Sequence, residues 1–313
     1  MRLLFCGTPE FAVPALKTLL ETGFSIELVV TNPDEPRGRG YEPAPPPVKK
    51  AALEAGLQVF QPARLKDAAT QAFLSNFQPD AIVVVAYGHI IPPWMIGLPQ
   101  LGCINLHASL LPKYRGAAPI AWSIIQGERI TGVTTMKIDA GLDTGDILLQ
   151  REVEISESDT GESLSSRLSV LGADLIVETL HKLEPGQIGP RPQDDLQATL
   201  APMLKKEDGR IDWSWTAEEI SRRVRGLRPW PGAYTTFRGK GLHVWSAVPV
   251  APESRDALEP GTLVATPRQL LVACGQATLL HVKELQLQGR RRMPARDFLN
   301  GVRLAAGEKF LSL

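Results

Sequence analysis

Six consecutive apolar residues, Ala81-Ile82-Val83-Val84-Val85-Ala86, constrain this chain more than any other segment. A strand wetted on one face alternates apolar and polar residues, whereas an unbroken apolar run belongs to a strand covered on both faces. Such cover comes from helices, and the surrounding pattern supplies them. Leu3–Cys6 is a short strand ended by Gly7, after which Phe11, Leu16, Leu19 and Leu20 recur at helical spacing up to Gly23. Ile26–Val30, Ile104–His107 and Val133–Ile138 read as further strands. Asp159 with Glu162 resembles a capping box opening a helix whose Leu164, Leu168, Leu171 and Leu175 share one face. Repeated strand–helix units predict an α/β domain with a mostly parallel sheet over residues 1–184.

The texture then changes. Pro185, Gly186, Gly189, Pro190 and Pro192, followed by Asp194 and Asp195, predict a surface linker over 185–208. Beyond it, Ala233–Phe237, Leu242–Ala247, Thr262–Val264, Leu270–Ala273 and Thr278–Val282 read as short strands separated by turns, the pattern of a small barrel or sandwich over 209–313. A length of 313 residues suits two such domains. The net charge of zero hides an asymmetry: 209–313 carries 16 basic and 9 acidic residues, an excess of +7 that the remainder cancels. A basic module fits a polyanionic partner, and it equally fits plain solubility.

Several classes are excluded. Hydrophobic residues at 43% and charged residues at 22% are ordinary for a globular chain and too rich in apolar side chains for disorder. No apolar run approaches the ~20 residues of a membrane helix. Cys6, Cys103 and Cys274 are far apart and odd in number, which predicts free thiols in a reducing compartment. The chain opens directly on a strand, so a cytoplasmic protein without a leader is expected. A dinucleotide fingerprint is absent, because the glycine positions read Gly7, Pro9 and Val13.

Three segments carry chemistry. In a strand, Asn105 and His107 are two residues apart and share a face, so an amide and an imidazole could address one oxygen or could merely hold a loop. Ser109-Leu110-Leu111-Pro112 follows at once. The second segment, Asp139-Ala140-Gly141-Leu142-Asp143-Thr144-Gly145-Asp146, could be an acidic turn or a carboxylate source beside the imidazole; calcium would want a closing Glu, which is missing. The third is Asn32–Lys50, with Arg37-Gly38-Arg39-Gly40 and then Pro43, Pro45, Pro46 and Pro47, either a Pro/Gly loop without order or a basic loop beside the active end of the sheet.

With FCGTPEFA at the start, VVVAYGHIIP from Val83, GCINLHASLLPKYRGAAPI from Gly102, MKIDAGLDTGDIL from Met136 and IDWSWTAEEISRRVRGLRPWPGAY from Ile211, the sequence resembles the methionyl-tRNA formyltransferase family over essentially its whole length. That family lies within the wider 10-formyltetrahydrofolate-dependent formyltransferases. The sequence departs from the family pattern at Tyr41 and Glu42, where more lysine is expected. The resemblance implies a Rossmann-like catalytic domain followed by a small OB-like β-barrel. It further implies transfer of a formyl group from N10 of 10-formyltetrahydrofolate to the amine of methionyl initiator tRNA. Asn105 would donate to the developing oxyanion, protonated His107 would add a second donor, and Asp143 would hold the imidazole and relay the proton. Ser109, Leu110, Leu111 and Pro112 would form the folate-binding turn, with Ala86, Tyr87, Gly88 and Ile90 along the pterin edge. Arg37 and Arg39 would meet the acceptor end of the tRNA, and Arg223, Arg225, Arg290, Arg291 and Arg292 would grip its backbone. No metal, DNA or membrane is implied, and a monomer of bacterial, cytoplasmic type is expected. A formyltransferase acting on a sugar nucleotide or glycinamide ribotide would share the trio but lack a reason for the basic barrel, and a non-catalytic RNA binder would have no need of the trio.

Overall fold

The computed structural model describes residues 1–37, 42–251, 258–266 and 269–311. They form two compact units, one of Met1–Pro119, Ile130–Glu154 and Ser165–Pro202, the other of Ile120–Arg129, Ile155–Leu164 and Met203–Leu313. The chain runs β1 (Arg2–Gly7), α1 (Val13–Glu21), β2 (Ser25–Val30), the hairpin β3 (Glu35–Arg37) and β4 (Glu42–Ala44), α2 (Pro47–Glu54), β5 (Val59–Phe60) and α3 (Ala68–Leu74). There follow β6 (Ala81–Val85), α4 (Pro93–Ile96), β7 (Cys103–His107), α5 (Pro119–Ile125), β8 (Ile130–Lys137), β9 (Ile147–Glu154) and α6 (Gly161–Leu183).

Seven of these strands make one sheet in the order β5-β2-β1-β6-β7-β8-β9. Pairings from β5 to β7 are parallel, while β7–β8 and β8–β9 are antiparallel, so the mostly parallel sheet expected from sequence ends in an antiparallel edge. The first five residues of the run that implied cover on both faces form β6 and are all buried, while Ala86 just beyond it is exposed. Strand order reverses between β1 and β6, and in such sheets the crevice at the carboxyl ends of the strands is where ligands bind. That end carries Thr8, Ala86 and His107. On the opposite face of β7, Leu106 meets α6 at Gly172, where an added Cβ would come within 2.6 Å of a leucine methyl. Leu106 is therefore committed to the core, and Asn105 and His107 fall on the other face.

Two local expectations are revised. The reciprocal cap of α6 is made by Thr160 and Ser163, each backbone N–H reaching the other's hydroxyl at 3.0 and 3.2 Å, rather than by Asp159 and Glu162. Asp159 instead accepts from the Ser156 N–H at 2.8 Å and the Ser163 hydroxyl at 2.9 Å. The segment 185–208, expected as a linker, is pinned to the first unit as far as Pro202: Arg191 pairs with Ile147, and the Ala201 N–H donates to the Arg115 carbonyl at 2.7 Å.

The second unit contains α7 (Ala217–Gly226), β10 (Ala233–Phe237), β11 (Lys240–Val250), β12 (Leu263–Ala265), β13 (Leu270–Cys274), β14 (Thr278–Leu287), β15 (Met293–Pro294) and α8 (Ala295–Gly301). Its antiparallel sheet runs β10-β11-β14-β13-β12, with β15 on β14. The C-terminal segment pairs with both outer members, Leu311 with Thr236 of β10 and Lys309 with Thr262 just before β12. The core gathers Trp213, Phe237, Phe298 and Phe310, and the indole N–H of Trp213 is satisfied by the Thr235 hydroxyl at 3.1 Å. Among the described residues no helix is long and apolar enough to cross a membrane.

Candidate active site

His107 closes β7 with 6% of its surface exposed. Its Nε2 lies 2.9 Å from the Tyr114 carbonyl. A carbonyl only accepts, so Nε2 carries the hydrogen and Nδ1 is left to face Asp143, whose Oδ2 stands 3.6 Å away. A proton on Nδ1 would lie directly against that carboxylate. With Nε2 spent on Tyr114, Nδ1 is the ring nitrogen left facing Asp143, and the ring's expected second donor toward an oxyanion is engaged elsewhere in this arrangement.

Of the three acidic residues in the loop after β8, only Asp143 reaches the imidazole. Asp139 turns outward, accepting from the Gly141 N–H at 3.0 Å and the Thr144 hydroxyl at 2.8 Å. Asp143 holds a left-handed backbone at φ +53°, uncommon for a residue with a Cβ, and its Oδ2 also accepts from the Gly116 N–H at 2.8 Å. Gly116 is itself at φ +121°, with the Ala201 carbonyl oxygen only 2.6 Å from where a Cβ would stand. Glycine is what lets that N–H approach the carboxylate.

Asn105 lies two residues before His107 on the same face, half-buried, and its side-chain amide has no hydrogen-bond partner among the described residues. A half-buried amide on the same strand face as the imidazole has hydrogens still to give.

The Ser109–Pro112 turn is more engaged than expected of a ligand-binding loop. The Ser109 hydroxyl donates to the Lys113 carbonyl at 2.6 Å, and its carbonyl accepts from Thr134 at 2.6 Å. The Leu111 N–H donates to Thr134 at 3.1 Å, and its carbonyl accepts from Gln150 at 2.9 Å. Thr134 and Gln150, on β8 and β9, therefore set this turn; sequence reading missed both. At the end of β6, Ala86 (φ +46°) and Gly88 (φ +86°) bend the chain, Tyr87 is buried with its carbonyl accepting from Thr8 at 3.2 Å, and Ile90 is 83% exposed. Burial pushes the Tyr87 phenol up, so it stays protonated.

The thiols lie outside this chemistry. All three are buried, and desolvation raises Cys6 and lifts Cys103 and Cys274 to about 12 each. Among the described residues no group of three or more His, Cys, Asp or Glu could hold a metal ion.

The basic candidates divide. Arg39 lies outside the described residues, as does the Arg37 side chain, although Arg37 ends β3. On α7, Arg225 donates to the Asp159 carbonyl at 2.7 Å and Arg223 stacks over Trp215 at 4.1 Å, both half-buried. Arg290, Arg291 and Arg292 are exposed, with Arg292 paired to Glu284 and lying over Trp245 at 5.2 Å.

The family models for a formyl transferase and for a formyl transferase C-terminal domain match residues 1–180 and 203–303. The chain is similar to the methionyl-tRNA formyltransferase of Koribacter versatilis, 57% identical over 99% of this chain and 98% of that one. It is also similar to that of Solibacter usitatus, 56% identical over 99% and 98%. The chain belongs to the methionyl-tRNA formyltransferase family. Among solved structures, an N-formyltransferase from Helicobacter canadensis, in complex with folinic acid and dTDP-3-aminofucose, shares the fold at TM-score 0.67 and 16% identity, over 90% of this chain and 98% of that one. HypX from Aquifex aeolicus, in complex with tetrahydrofolic acid, does so at TM-score 0.64 and 18% identity, over 96% of this chain and 47% of that one. The pair His107–Asp143 thus lies in the part of the chain that the formyl transferase model matches.

Proposed function

We infer that this chain transfers the formyl group of 10-formyltetrahydrofolate to the α-amino group of methionyl initiator tRNA, with Asn105, His107 and Asp143 as the reacting set. The observation that carries the assignment of residues is the Asp143 carboxylate facing His107 Nδ1 at 3.6 Å, on the strand face shared with an amide that has no hydrogen-bond partner among the described residues. The folate supplies a formyl carbon activated on N10. As the amine attacks, charge gathers on the formyl oxygen, and the Asn105 amide is placed to donate to it; one such donor is worth about 3 kcal/mol. The amine must lose a proton and N10 must gain one. His107 and Asp143 can hold that proton between Nδ1 and Oδ2, and general acid–base help of this kind contributes typically ~10²- to 10⁴-fold. Ser109–Pro112 and Ala86–Ile90 would border the folate, the former offering mainly the side chains of Leu110 and Pro112, since Ser109 and the Leu111 backbone are already bonded and the Leu111 side chain is buried against Met136 and Ile147.

The second unit, proposed here as an OB-like barrel, would grip tRNA. Support comes from its +7 charge over 209–313 and from the C-terminal segment pairing with both β10 and the start of β12, which suits a closed sheet. Arg290, Arg291 and Arg292 are the better placed of the proposed backbone contacts, because Arg225 is committed to Asp159 and Arg223 to Trp215. Arg37 and Arg39 are proposed for the acceptor end. Residues 1–184 would be the catalytic domain, acting in the cytoplasm as a monomer. The test is formyl transfer to methionyl initiator tRNA with 10-formyltetrahydrofolate as donor, compared with a sugar-nucleotide amine and glycinamide ribotide. Faster transfer to either small amine than to the charged tRNA would refute the substrate assignment.

A further inference from the structure

Gln193 lies in the Pro/Gly-rich segment after α6, where the sequence shows only a connection. Its side-chain amide is fully used. Nε2 donates to two backbone carbonyls of the acidic loop, Asp143 at 2.9 Å and Gly145 at 2.7 Å. Oε1 accepts from Arg115, from Nε at 3.1 Å and Nη2 at 2.8 Å. One side offers only donors and the other only acceptors, so the orientation of the amide is unambiguous. Arg115 is 7% exposed, its Nη2 also meets Asp195 at 2.7 Å, and its backbone N–H donates to the Thr199 carbonyl at 2.8 Å.

These bonds close a ring. The Arg115 side chain orients Gln193, Gln193 holds the backbone of Asp143, and the Asp143 carboxylate returns to the N–H of Gly116, the residue next to Arg115. Asp143 sits in a left-handed conformation that a residue with a Cβ leaves unless its surroundings hold it there. Two donated hydrogen bonds from a half-buried amide anchored on a buried guanidinium are such a hold.

We propose that Gln193, oriented by Arg115, is a positioning residue that keeps Asp143 in the conformation from which its carboxylate faces His107. The proposal rests on the roles given above to Asp143 and His107. Gln193 touches neither substrate nor reacting atoms, so its removal acts on turnover through Asp143. A displacement of ~1 Å in a reacting group can cost about 10²-fold.

The experiment uses the full chain in four forms: Gln193→Ala, Gln193→Glu, Asp143→Ala, and Gln193→Ala combined with Asp143→Ala. Each is assayed at pH 8 for kcat and for KM toward methionyl-tRNA and 10-formyltetrahydrofolate, alongside a thermal melt. Gln193→Glu keeps acceptors for Arg115 but, ionised, has no hydrogen to give the two carbonyls, so it separates the proposed role from loss of the Arg115 contact and decides the matter if the alanine variant does not fold. Both single Gln193 variants are expected to lose ~10- to 100-fold in kcat with each KM within about threefold of the parent. The double variant is expected within about twofold of Asp143→Ala alone, because the amide then has nothing to position. Parental kcat in Gln193→Glu beside a crippled Asp143→Ala would overturn the positioning role alone, and so would losses that multiply in the double variant. Parental kcat in Asp143→Ala would overturn both this role and the assignment of the site.

Discussion

Gly145 is the position where a single added methyl group should test whether the seat of the acidic loop sets catalysis. A Cβ built there stands 1.8 Å from the Lys137 carbonyl oxygen and 2.8 Å from its carbon, so the obstruction is β-strand backbone and cannot swing away. Real Cβ contacts do not fall below 3.0 Å, so the loop in Gly145→Ala must back off by about 1.2 Å. Asp143 is two residues upstream, and both residues hang from the same Gln193 amide. A shift of that size, passed to a carboxylate 3.6 Å from its imidazole, should cost kcat about 10²-fold. Overpacking should also remove ~1–3 kcal/mol of stability. Gly189→Ala is the control: that site is exposed, has no neighbour within 4 Å of the new methyl group and no left-handed backbone, so activity and melting should stay within error of the parent. The assay is single-turnover formyl transfer to methionyl-tRNA with saturating folate donor, beside thermal scans of both variants. If Gly145→Ala turned over at the rate of Gly189→Ala, the loop seat would not govern the catalytic geometry and the reasoning would fail.

Replacing Asn105 by Ala should lower kcat by ~10²- to 10³-fold, the usual loss of one oxyanion donor, with melting unchanged because the amide has no partner to lose among the described residues. His107→Ala should lose at least ~10²-fold in the same assay, and near-parental turnover would remove the imidazole from the mechanism. Cys103→Ser should fold and turn over normally, and the folded protein should resist alkylation at pH 8, since burial holds the Cys103 and Cys274 thiols up at about 12. Their labelling should instead track unfolding, and rapid reaction of the native protein would contradict the buried placement. Arg290→Ala should weaken tRNA binding and reduce its salt slope by about 1 while leaving the preference among tRNAs unchanged. Arg37→Ala should erode that preference with folate binding intact, and the opposite pattern would exchange the two roles.

Local signals carried the outline of this protein because their physics is local. An apolar run without polar positions forces a strand covered on both sides, and β6 is that strand. A spacing of two on a strand puts Asn105 and His107 on one face whatever the rest of the chain does. Charge counted along the sequence separated a basic C-terminal third, 209–313, from an acidic remainder. The antiparallel edge was less legible: β9 (Ile147–Glu154) is half-exposed, and its polar residues Gln150, Arg151 and Glu152 mask the strand pattern.

Residue types and spacing left open which carboxylate meets the imidazole, which only the family resemblance named as Asp143, and what holds it there was decided by the tertiary structure alone. Asp139, Asp143 and Asp146 are equivalent candidates by spacing. Asp143 is selected by a left-handed backbone, by the N–H of a glycine 27 residues upstream and by the amide of Gln193, 50 residues downstream. Composition even argued against the last of these, since Gln193 lies in a Pro- and Gly-rich stretch that reads as a connection. Proline and glycine report that a segment forms neither helix nor ladder. They say nothing about where its backbone and side chains find their hydrogen bonds, and in a folded chain those partners are set by which distant segments the sheet brings within reach.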